Sequence, residues 1–287
     1  MKEEYCRKFG DVRFKVFAQI TLLEGGKTMT IGFFVTLFII GFVGSFISGM
    51  LGIGGSIIKY PMLLYIPPMV GIGAFTAHEV SGISAVQVFF ATISAVVAFR
   101  KGNYLNYRLI LYMGVSIIIG SFIGAYGAKG LPEEAINLVY ASLATIAAVM
   151  MLVPKKGIDD VQMHNVKFNR PIAIVSALVV GILSGIVGAA GAFILVPVML
   201  LILRIPTRMT IASSLAITFI SSIGATTGKI LAGDVQFWPA LIMVLASVLA
   251  APLGARLSKR VHTKILQFIL AVLIVATAIR IWVDIGF

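Results

Sequence analysis

The chain has 287 residues, 59% of them hydrophobic and only 12% charged, with a mean hydropathy of +1.04. Because a soluble protein has about 25% charged residues, this composition indicates a membrane protein with several spans. The net charge of +12 does not predict a nucleic-acid partner, since the basic residues stand mainly between apolar segments, where they set topology and contact anionic headgroups. The single cysteine, Cys6, excludes an internal disulfide and a cysteine-based metal site.

Residues 1–29 are predicted to form an N-terminal extension. Cations interrupt its apolar residues, and it has no evident cleavage site, so it is not a signal peptide. One interpretation is that Met29 is the natural start, because residues 24–28 can be encoded by a purine-rich sequence that resembles a ribosome-binding site. The other is that residues 5–23 form a basic helix on the membrane surface.

Ten hydrophobic segments follow, in two sets of five. They are predicted at 30–50, 53–67, 77–99, 108–128 and 134–153, and at 171–188, 191–203, 211–231, 237–255 and 264–283. The longer ones reach the ~20 residues that cross a bilayer, whereas the second and seventh are short enough to be half-helices or tilted. The predicted fold class is therefore an all-α polytopic membrane protein. Its units are repeat 1 (30–153), a cytoplasmic linker (154–170) and repeat 2 (171–287).

The two sets share a sequence pattern that indicates duplication. Residues 48–61 match residues 184–197 at six of 14 positions, 136 positions apart, and residues 124–127 lie over 254–257 at an offset of 130. A glycine-interrupted apolar segment at corresponding places in two halves is typical of a transporter binding site.

Loop charges favour an inverted orientation of the two repeats. The third connection of repeat 1 and the fourth connection of repeat 2 are the basic ones, so equivalent loops have opposite charge bias. The positive-inside rule then places residues 154–170 and 256–264 in the cytoplasm and both termini outside. Parallel repeats with eight spans in total remain the alternative.

The glycines of the repeated pattern are candidates for binding an anion. Gly52, Gly54 and Gly55 break the helix, and we expect them to expose backbone N–H groups where the next segment starts at Ser56. The N-terminus of a helix suits an oxyanion. Gly188 and Gly191 are the corresponding glycines of repeat 2. The alternative interpretation is close helix packing through small residues.

These motifs resemble the sulfite exporter TauE/SafE family. The resemblance lies in residues 52–55 followed by Pro61, in their copy ending at Pro197, and in the openings 81–87 and 212–216 of the third and eighth segments. It implies a permease in a prokaryotic cell membrane for sulfite or small organosulfur or carboxylate anions. Repeat 2 departs from the family pattern, because residues 189–192 contain a single glycine where a fuller run of glycines is expected.

Polar side chains beside these motifs are further candidates. Ser81, Ser84 and Gln87 are spaced to share one helix face, and Ser213 and Ser214 recur with Thr218, Ser221 and Ser222 in the eighth segment. We expect the hydroxyls of 81, 84, 213 and 214 close to the anion. Alternatively, they form hydrogen bonds between helices or to their own helix carbonyls.

Three charged residues within apolar stretches are candidates for charge coupling. Lys59 could attract the anion, or snorkel to an interface. His78 beside Glu79 could couple a proton to transport. The alternative for this pair is a capping box, with Thr76 as N-cap and Glu79 three residues later.

Transport is the predicted function, with a passive anion channel or a non-transporting assembly protein as alternatives. No zinc-protease, nucleophile-elbow or Walker motif is present, and the three histidines lie in different regions, so no enzyme, cofactor or metal is expected. The expected partners are a small anion, the lipid bilayer, a coupling proton or cation, and a second copy in a homodimer.

Overall fold

A computed structural model describes residues 22–24, 27–29, 31–51, 56–99, 105–152, 168–189, 191–258, 268, 272, 275, 276 and 279–283. A short antiparallel hairpin, β1 (Leu22–Glu24) and β2 (Lys27–Met29), precedes the first helix. All other regular structure in these ranges is helical. The predicted all-α membrane fold is therefore confirmed.

The helices follow the first nine predicted apolar segments to within about four residues at their ends, if a π-helical turn is counted with the seventh helix. Most of the tenth segment, 264–283, lies outside the described residues. In the first half the helices are α1 (Ile31–Leu51), α2 (Ser56–Met69), α3 (Ala77–Phe99), α4 (Tyr107–Gly127) and α5 (Glu133–Leu152). In the second half they are α6 (Arg170–Val187), α7 (Ala192–Pro197), α8 (Thr207–Ala232) and α9 (Phe237–Ser258). A π-helical turn, Val198–Ile202, extends α7, and residues 279–283 are also helical.

Local sequence signals explain several helix ends. Asn106 and Asn169 are N-caps of α4 and α6, and their side chains accept hydrogen bonds from the amides three residues later. Gly188 and Gly233 end α6 and α8 with φ of +73° and +85°, a left-handed conformation that glycine adopts without strain.

Six helices in the described ranges are long and apolar enough to cross a membrane. They contain Ile31–Met50, Tyr107–Gly130, Glu133–Met150, Arg170–Val187, Met209–Ala232 and Phe237–Leu257. Large apolar side chains cover their outer faces, for example Leu111, Val115 and Ile119 at four-residue spacing on α4. Such a surface would promote association in water, and it matches the hydrocarbon of a bilayer.

Two helix pairs, α4 with α6 and α1 with α9, pack through glycines. A Cβ on Gly124 would overlap the carbonyl oxygen of Ile182, and one on Gly254 would overlap that of Phe46. The residues whose carbonyls would be overlapped, Ile182 and Phe46, are 136 positions apart, and the two glycines are 130 positions apart. These are the offsets found in the sequence, so both pairs make the same backbone contact at corresponding positions.

Contacts along the helices also fix their directions. In α1 and α9, Gly41 lies beside Ala246 and Gly49 beside Ala251, so the two helices run parallel. The contacts of Gln87 with Met243 and of Glu79 with Gln236 show that α3 and α9 are parallel too.

Three further helices, α4, α6 and α8, run the opposite way. Gly82 of α3 meets Asp234 after α8, whereas Phe89 meets Phe219, so α3 and α8 are antiparallel. Contacts of Gly114 with Ile220 and of Gly228 with Ala125 make α4 parallel to α8, and α4 is parallel to α6 by the same kind of register. Thus α1, α3 and α9 share one direction, and α4, α6 and α8 share the other.

Candidate functional site

A buried lysine lies where α1, α2, α3 and α9 meet. Lys59, in the first turn of α2, is fully buried, and its Nζ donates a hydrogen bond of 3.1 Å to Ser45 Oγ of α1. The aliphatic stem of Lys59 lies directly against Gly44, where a Cβ would overlap Lys59 Cγ. The absence of a side chain at Gly44 therefore makes the space that admits the lysine.

Three polar side chains complete this group, which we call the Lys59 cluster: Lys59, Ser45, Gln87 and Ser247. The hydroxyl of Ser45 donates to Ser247 Oγ at 2.8 Å, and Ser247 in turn donates to the carbonyl of Met243 at 2.5 Å. Gln87 Nε2 approaches Ser247 Oγ at 2.6 Å, and Ser45 Oγ and the Met243 carbonyl at 3.3 Å each. Gln87 Oε1 has no hydrogen-bond partner among the described residues.

No carboxylate among the described residues forms an ion pair with Lys59, the side chain of the cluster that can carry a positive charge. Of the three N–H donors of Lys59, one has a partner in the described part of the chain, and that partner is a neutral hydroxyl. The ion pairs recorded in the described ranges join Asp234 to Lys229 and to His78. A cation buried in a membrane protein is costly and usually pairs with an anion or lies on a substrate pathway.

The cluster also lies deep in the helix bundle. Gln87 and Ser247 each come ten residues after the first residue of their helix, α3 and α9. Ten residues span about 15 Å of helix axis, which is half of a hydrocarbon core of ~30 Å. A ligand bound to the cluster would be near the middle of the membrane.

Among the predicted residues, Gly188 and Ser81 are brought together. Gly188 packs so closely on Ser81 that a Cβ there would overlap the Ser81 carbonyl oxygen. The Gly188 amide, expected to be free for an anion, instead donates to the carbonyls of Ser184 and Gly185 and closes α6. Ser81 Oγ donates to the carbonyl of His78 at 2.8 Å. This turn therefore serves helix packing in the structure described here.

Gly191 begins α7 with φ of +74°, and its carbonyl accepts from the amides of Ile194 and Leu195. The glycine turn of repeat 1, Gly52, Gly54 and Gly55, lies outside the described residues. Ser56 is the first residue of α2, one turn before Lys59, and its side chain is likewise outside the description. The predicted anion contacts of the glycines remain predictions.

Buried hydroxyls lie along the facing helices α3 and α8. Ser84 Oγ, Thr218 Oγ1 and Ser221 Oγ are buried, and no hydrogen-bond partner for them is found among the described residues. Most buried polar atoms in proteins have a partner, so these three hydroxyls are candidates for contact with a polar ligand. Ser84 lies between Ser81 and Gln87 on α3, as the spacing predicted.

Ser213 and Ser214 are not brought to Ser81. Because α3 and α8 are antiparallel, the start of α3 lies beside the end of α8. Ser81, near the start of α3, packs on Gly188. Ser213, near the start of α8, lies at the other end of this helix pair, where its Oγ accepts from the Asn106 amide at 3.2 Å. Ser214 Oγ donates to the carbonyl of Ile211, as the alternative interpretation expected.

Sequence reasoning missed Ser45 and Ser247 as site residues. Ser45 stands in a small-residue row, between Gly41 and Gly49, that is typical of packing, and Ser247 lies in an apolar stretch. The corresponding positions in the other half, 181 and 117, are Gly and Ile. No repeated motif could therefore have indicated either serine.

A second polar group lies at the start of α3. The capping box is confirmed, because Glu79 accepts from the Thr76 amide at 2.9 Å and the Glu79 amide donates to Thr76 Oγ1 at 3.2 Å. The other Glu79 oxygen accepts from Gln236. The acidic partner of His78 is Asp234, which also pairs with Lys229. Among the described residues, no group of three His, Cys, Asp or Glu could hold a metal ion.

The sequence model of the family described as "Sulfite exporter TauE/SafE" matches residues 37–281, a range that includes the whole Lys59 cluster. The chain belongs to this family. The predicted resemblance is thereby confirmed over most of the chain, and this TauE/SafE protein is a membrane transporter with several membrane-spanning helices.

Curated relatives have names that agree with this membership. The protein is 26% identical over 227 residues to a "Probable membrane transporter protein YunE" of Bacillus subtilis (74% of this chain, 83% of the relative). It is 28% identical over 176 residues to a "Probable membrane transporter protein" of Xylella fastidiosa (61% and 65%). With "Probable membrane transporter protein ORF9" of a Sinorhizobium species it shares 25% identity over 251 residues (86% and 92%). No solved structure matches the chain.

Proposed function

We propose that this TauE/SafE protein is a secondary transporter that exports sulfite or small organosulfur or carboxylate anions across a prokaryotic plasma membrane. The observation that carries the proposal is the buried Lys59 ammonium, which has hydroxyl and amide neighbours and no carboxylate among the described residues. An oxyanion that enters the cluster would supply the missing negative charge. Sulfite is the substrate named in the family description, and the other anions are proposed because they carry similar oxyanion groups.

The chemistry of the cluster suits an oxyanion. Charge-assisted hydrogen bonds from an ammonium are about twice as strong as neutral ones, and Lys59 has two N–H donors without a described partner. The Ser45 hydroxyl and the Gln87 amide could turn from each other to the ligand. Residues 52–55 precede Lys59 by four to seven positions in the sequence, and their amides are proposed as further donors to the same anion.

The polar face of α3 is proposed as the path to the cluster. Ser81 lies near the start of α3, and Gln87 lies six residues further along, which is about 9 Å. Ser84, with its unsatisfied hydroxyl, lies between them, and Thr218 and Ser221 belong to the facing helix α8. Because the four side chains of the Lys59 cluster are buried, this arrangement supports a carrier that opens alternately rather than an open channel.

The proposed architecture is a pair of inverted five-segment repeats. Three corresponding pairs, α1 with α6, α3 with α8 and α4 with α9, run in opposite directions, and the shared glycine contacts support their equivalence. With the basic loops inside, the start of α3 and the turn between α8 and α9 would face outward. Inverted repeats around a site near the midplane suit alternating access.

The function is tested by exchange of labelled anions in proteoliposomes that contain the full chain. The panel is sulfite, sulfate, thiosulfate, small sulfonates and small carboxylates. We expect saturable exchange of at least one of them, with competition by unlabelled anion. Flux that rises linearly with concentration would indicate the channel alternative. No protein-dependent flux with any anion of the panel would contradict the proposal.

Ser84→Ala is expected to weaken anion binding without loss of stability. Its hydroxyl has no described partner, so its removal leaves no broken bond in the free protein. A hydrogen bond to the passing anion would be worth about 0.5–1.5 kcal/mol, and the apparent affinity for sulfite should fall roughly 2- to 12-fold.

The control is Ser121→Ala. Ser121 is equally buried, and it donates at 2.8 Å to the carbonyl of Ser221. This variant should lower thermal stability and leave sulfite affinity unchanged. Equal affinities in the Ser84→Ala and wild-type proteins would remove Ser84 from the path.

A further inference from the structure

Polar contacts join the start of α3, the segment before α5 and the turn between α8 and α9 at one end of the bundle. His78, the second residue of α3, faces Asp234 in the turn between α8 and α9, with 3.6 Å between Nδ1 and Oδ2. On its other side, His78 Nε2 lies 3.0 Å from the carbonyl oxygen of Leu131, which precedes α5. A single imidazole thus links α3, the start of α5 and the turn between α8 and α9.

The two contacts of this imidazole make different demands on its ring nitrogens. A carbonyl oxygen only accepts, so Nε2 must carry the hydrogen shared with Leu131. In the neutral ring Nδ1 would then be an unprotonated nitrogen whose lone pair faces the Asp234 carboxylate. With a second proton, Nδ1 instead forms an ion pair with Asp234. Protonation of Nδ1 would therefore add an ion pair between α3 and the turn after α8.

The charged groups around His78 allow this proton to leave. Lys229 Nζ donates to Asp234 Oδ2 at 2.9 Å, so Asp234 keeps a positive partner when His78 is neutral. The neighbouring Glu79 is engaged by the Thr76 amide and Gln236, and Glu133 accepts from the Ala77 amide at 3.0 Å. Among the described residues, Asp234 is thus the carboxylate that responds to protonation of His78.

Close backbone packing holds the same end of the bundle together. Gly82 packs directly on the backbone of Asp234, and Gly188, at the end of α6, packs on Ser81. Further along, α3 carries Gln87 of the Lys59 cluster, and α9, which begins just after Asp234, carries Ser247. The imidazole and the anion cluster therefore share two helices.

The geometry points to His78 and Asp234 as a proton-binding site whose occupancy holds this end of the transporter closed. The coupling ion is a proton, and its release separates the turn after α8 from α3. This inference rests on the proposed function for its link to the anion, while the proton site itself can be tested without any anion. Glu79, the acidic partner suggested by the sequence, stabilises the start of α3 instead.

The first test uses no anion. Hydrogen–deuterium exchange of the amides of residues 78–82 and 229–236 is measured at pH 5.5 and 8, with correction for the intrinsic rates. We expect at least a threefold slower corrected exchange at pH 5.5 in the wild type. In His78→Gln, whose side-chain amide can still donate to Leu131 and does not titrate, this difference should disappear. His164→Gln, in the linker, is the control and should behave as the wild type.

The second test measures coupling with labelled sulfite in proteoliposomes, with protein-free vesicles correcting for passive movement of the protonated acid. A difference of one pH unit should drive about tenfold accumulation for each coupled proton. His78→Gln should show no accumulation and yet keep sulfite exchange at equal pH.

The outcomes separate the two proposals. Absence of sulfite exchange in the wild type would count against sulfite transport, while the deuterium-exchange result would still decide whether His78 is a proton site. Exchange in the wild type with equal accumulation in His78→Gln would overturn the inference and leave the transport function standing. A corrected deuterium-exchange rate that is the same at both pH values in the wild type would also overturn it.

Discussion

Lys59→Met is expected to abolish anion binding and exchange in a protein that remains folded. The substitution removes the buried cation of the Lys59 cluster and keeps most of the volume of its stem, which lies against Gly44. Breaking a buried ion pair by removing one partner costs about 3–5 kcal/mol, so anion affinity should fall roughly 100-fold or more. Among the described contacts, the free protein loses one hydrogen bond, to Ser45. Because an unpaired charge in the membrane is itself costly, the thermal stability of the Lys59→Met protein should equal or exceed that of the wild type.

This combination of lost binding and kept stability distinguishes a ligand-binding lysine from a packing residue. Lys59→Arg should retain partial binding, since the positive charge remains while the guanidinium fits the space beside Gly44 poorly. Lys129→Met, at an exposed position, is the control for a loss of charge elsewhere. The measurements are sulfite-dependent shifts of the unfolding temperature and exchange in proteoliposomes. Wild-type sulfite affinity in a folded Lys59→Met protein would place the site elsewhere.

The apolar segments were predictable because each follows a simple rule of length and hydropathy. A membrane-spanning helix needs about 20 predominantly apolar residues, so its ends show in the sequence where charged residues and turn-forming residues cluster. The N-caps Asn106 and Asn169 and the capping box of Thr76 with Glu79 are local signals of the same kind. Local physics therefore indicated where the helices begin and end.

The partners of the polar residues could not be predicted in the same way. Ser45 and Ser247 are 202 positions apart and meet because α1 and α9 pack together, which no local pattern indicates. Asp234 opposes His78 only because α3 and α8 are antiparallel. The same antiparallel arrangement separates Ser213 from Ser81, although the sequence placed them in equivalent motifs. Residue types were thus predictable from the repeat, whereas pairings depended on helix direction and register.

The glycines lead to the second prediction with a large effect, on stability. Gly124→Ala should destabilise the protein, because a Cβ at this position overlaps the backbone carbonyl of Ile182, which cannot turn away as a side chain can. Overpacking of this kind costs about 1–3 kcal/mol or more. Gly254→Ala should have a similar effect through the carbonyl of Phe46. Unfolding temperatures of the purified proteins in one detergent measure both.

Gly127→Ala is the matched control, three residues after Gly124 on the same helix. A Cβ at Gly127 would meet nothing within 4 Å, and alanine in a helix is favoured over glycine by roughly 0.5–1 kcal/mol, so this variant should be as stable as the wild type or more so. Equal stability of Gly124→Ala and Gly127→Ala would contradict the close contact of α4 with α6. A destabilised Gly124→Ala beside a tolerant Gly254→Ala would show that the two halves do not share this contact. Similar losses in both are expected if corresponding helix pairs of the two proposed inverted repeats carry the same backbone contact.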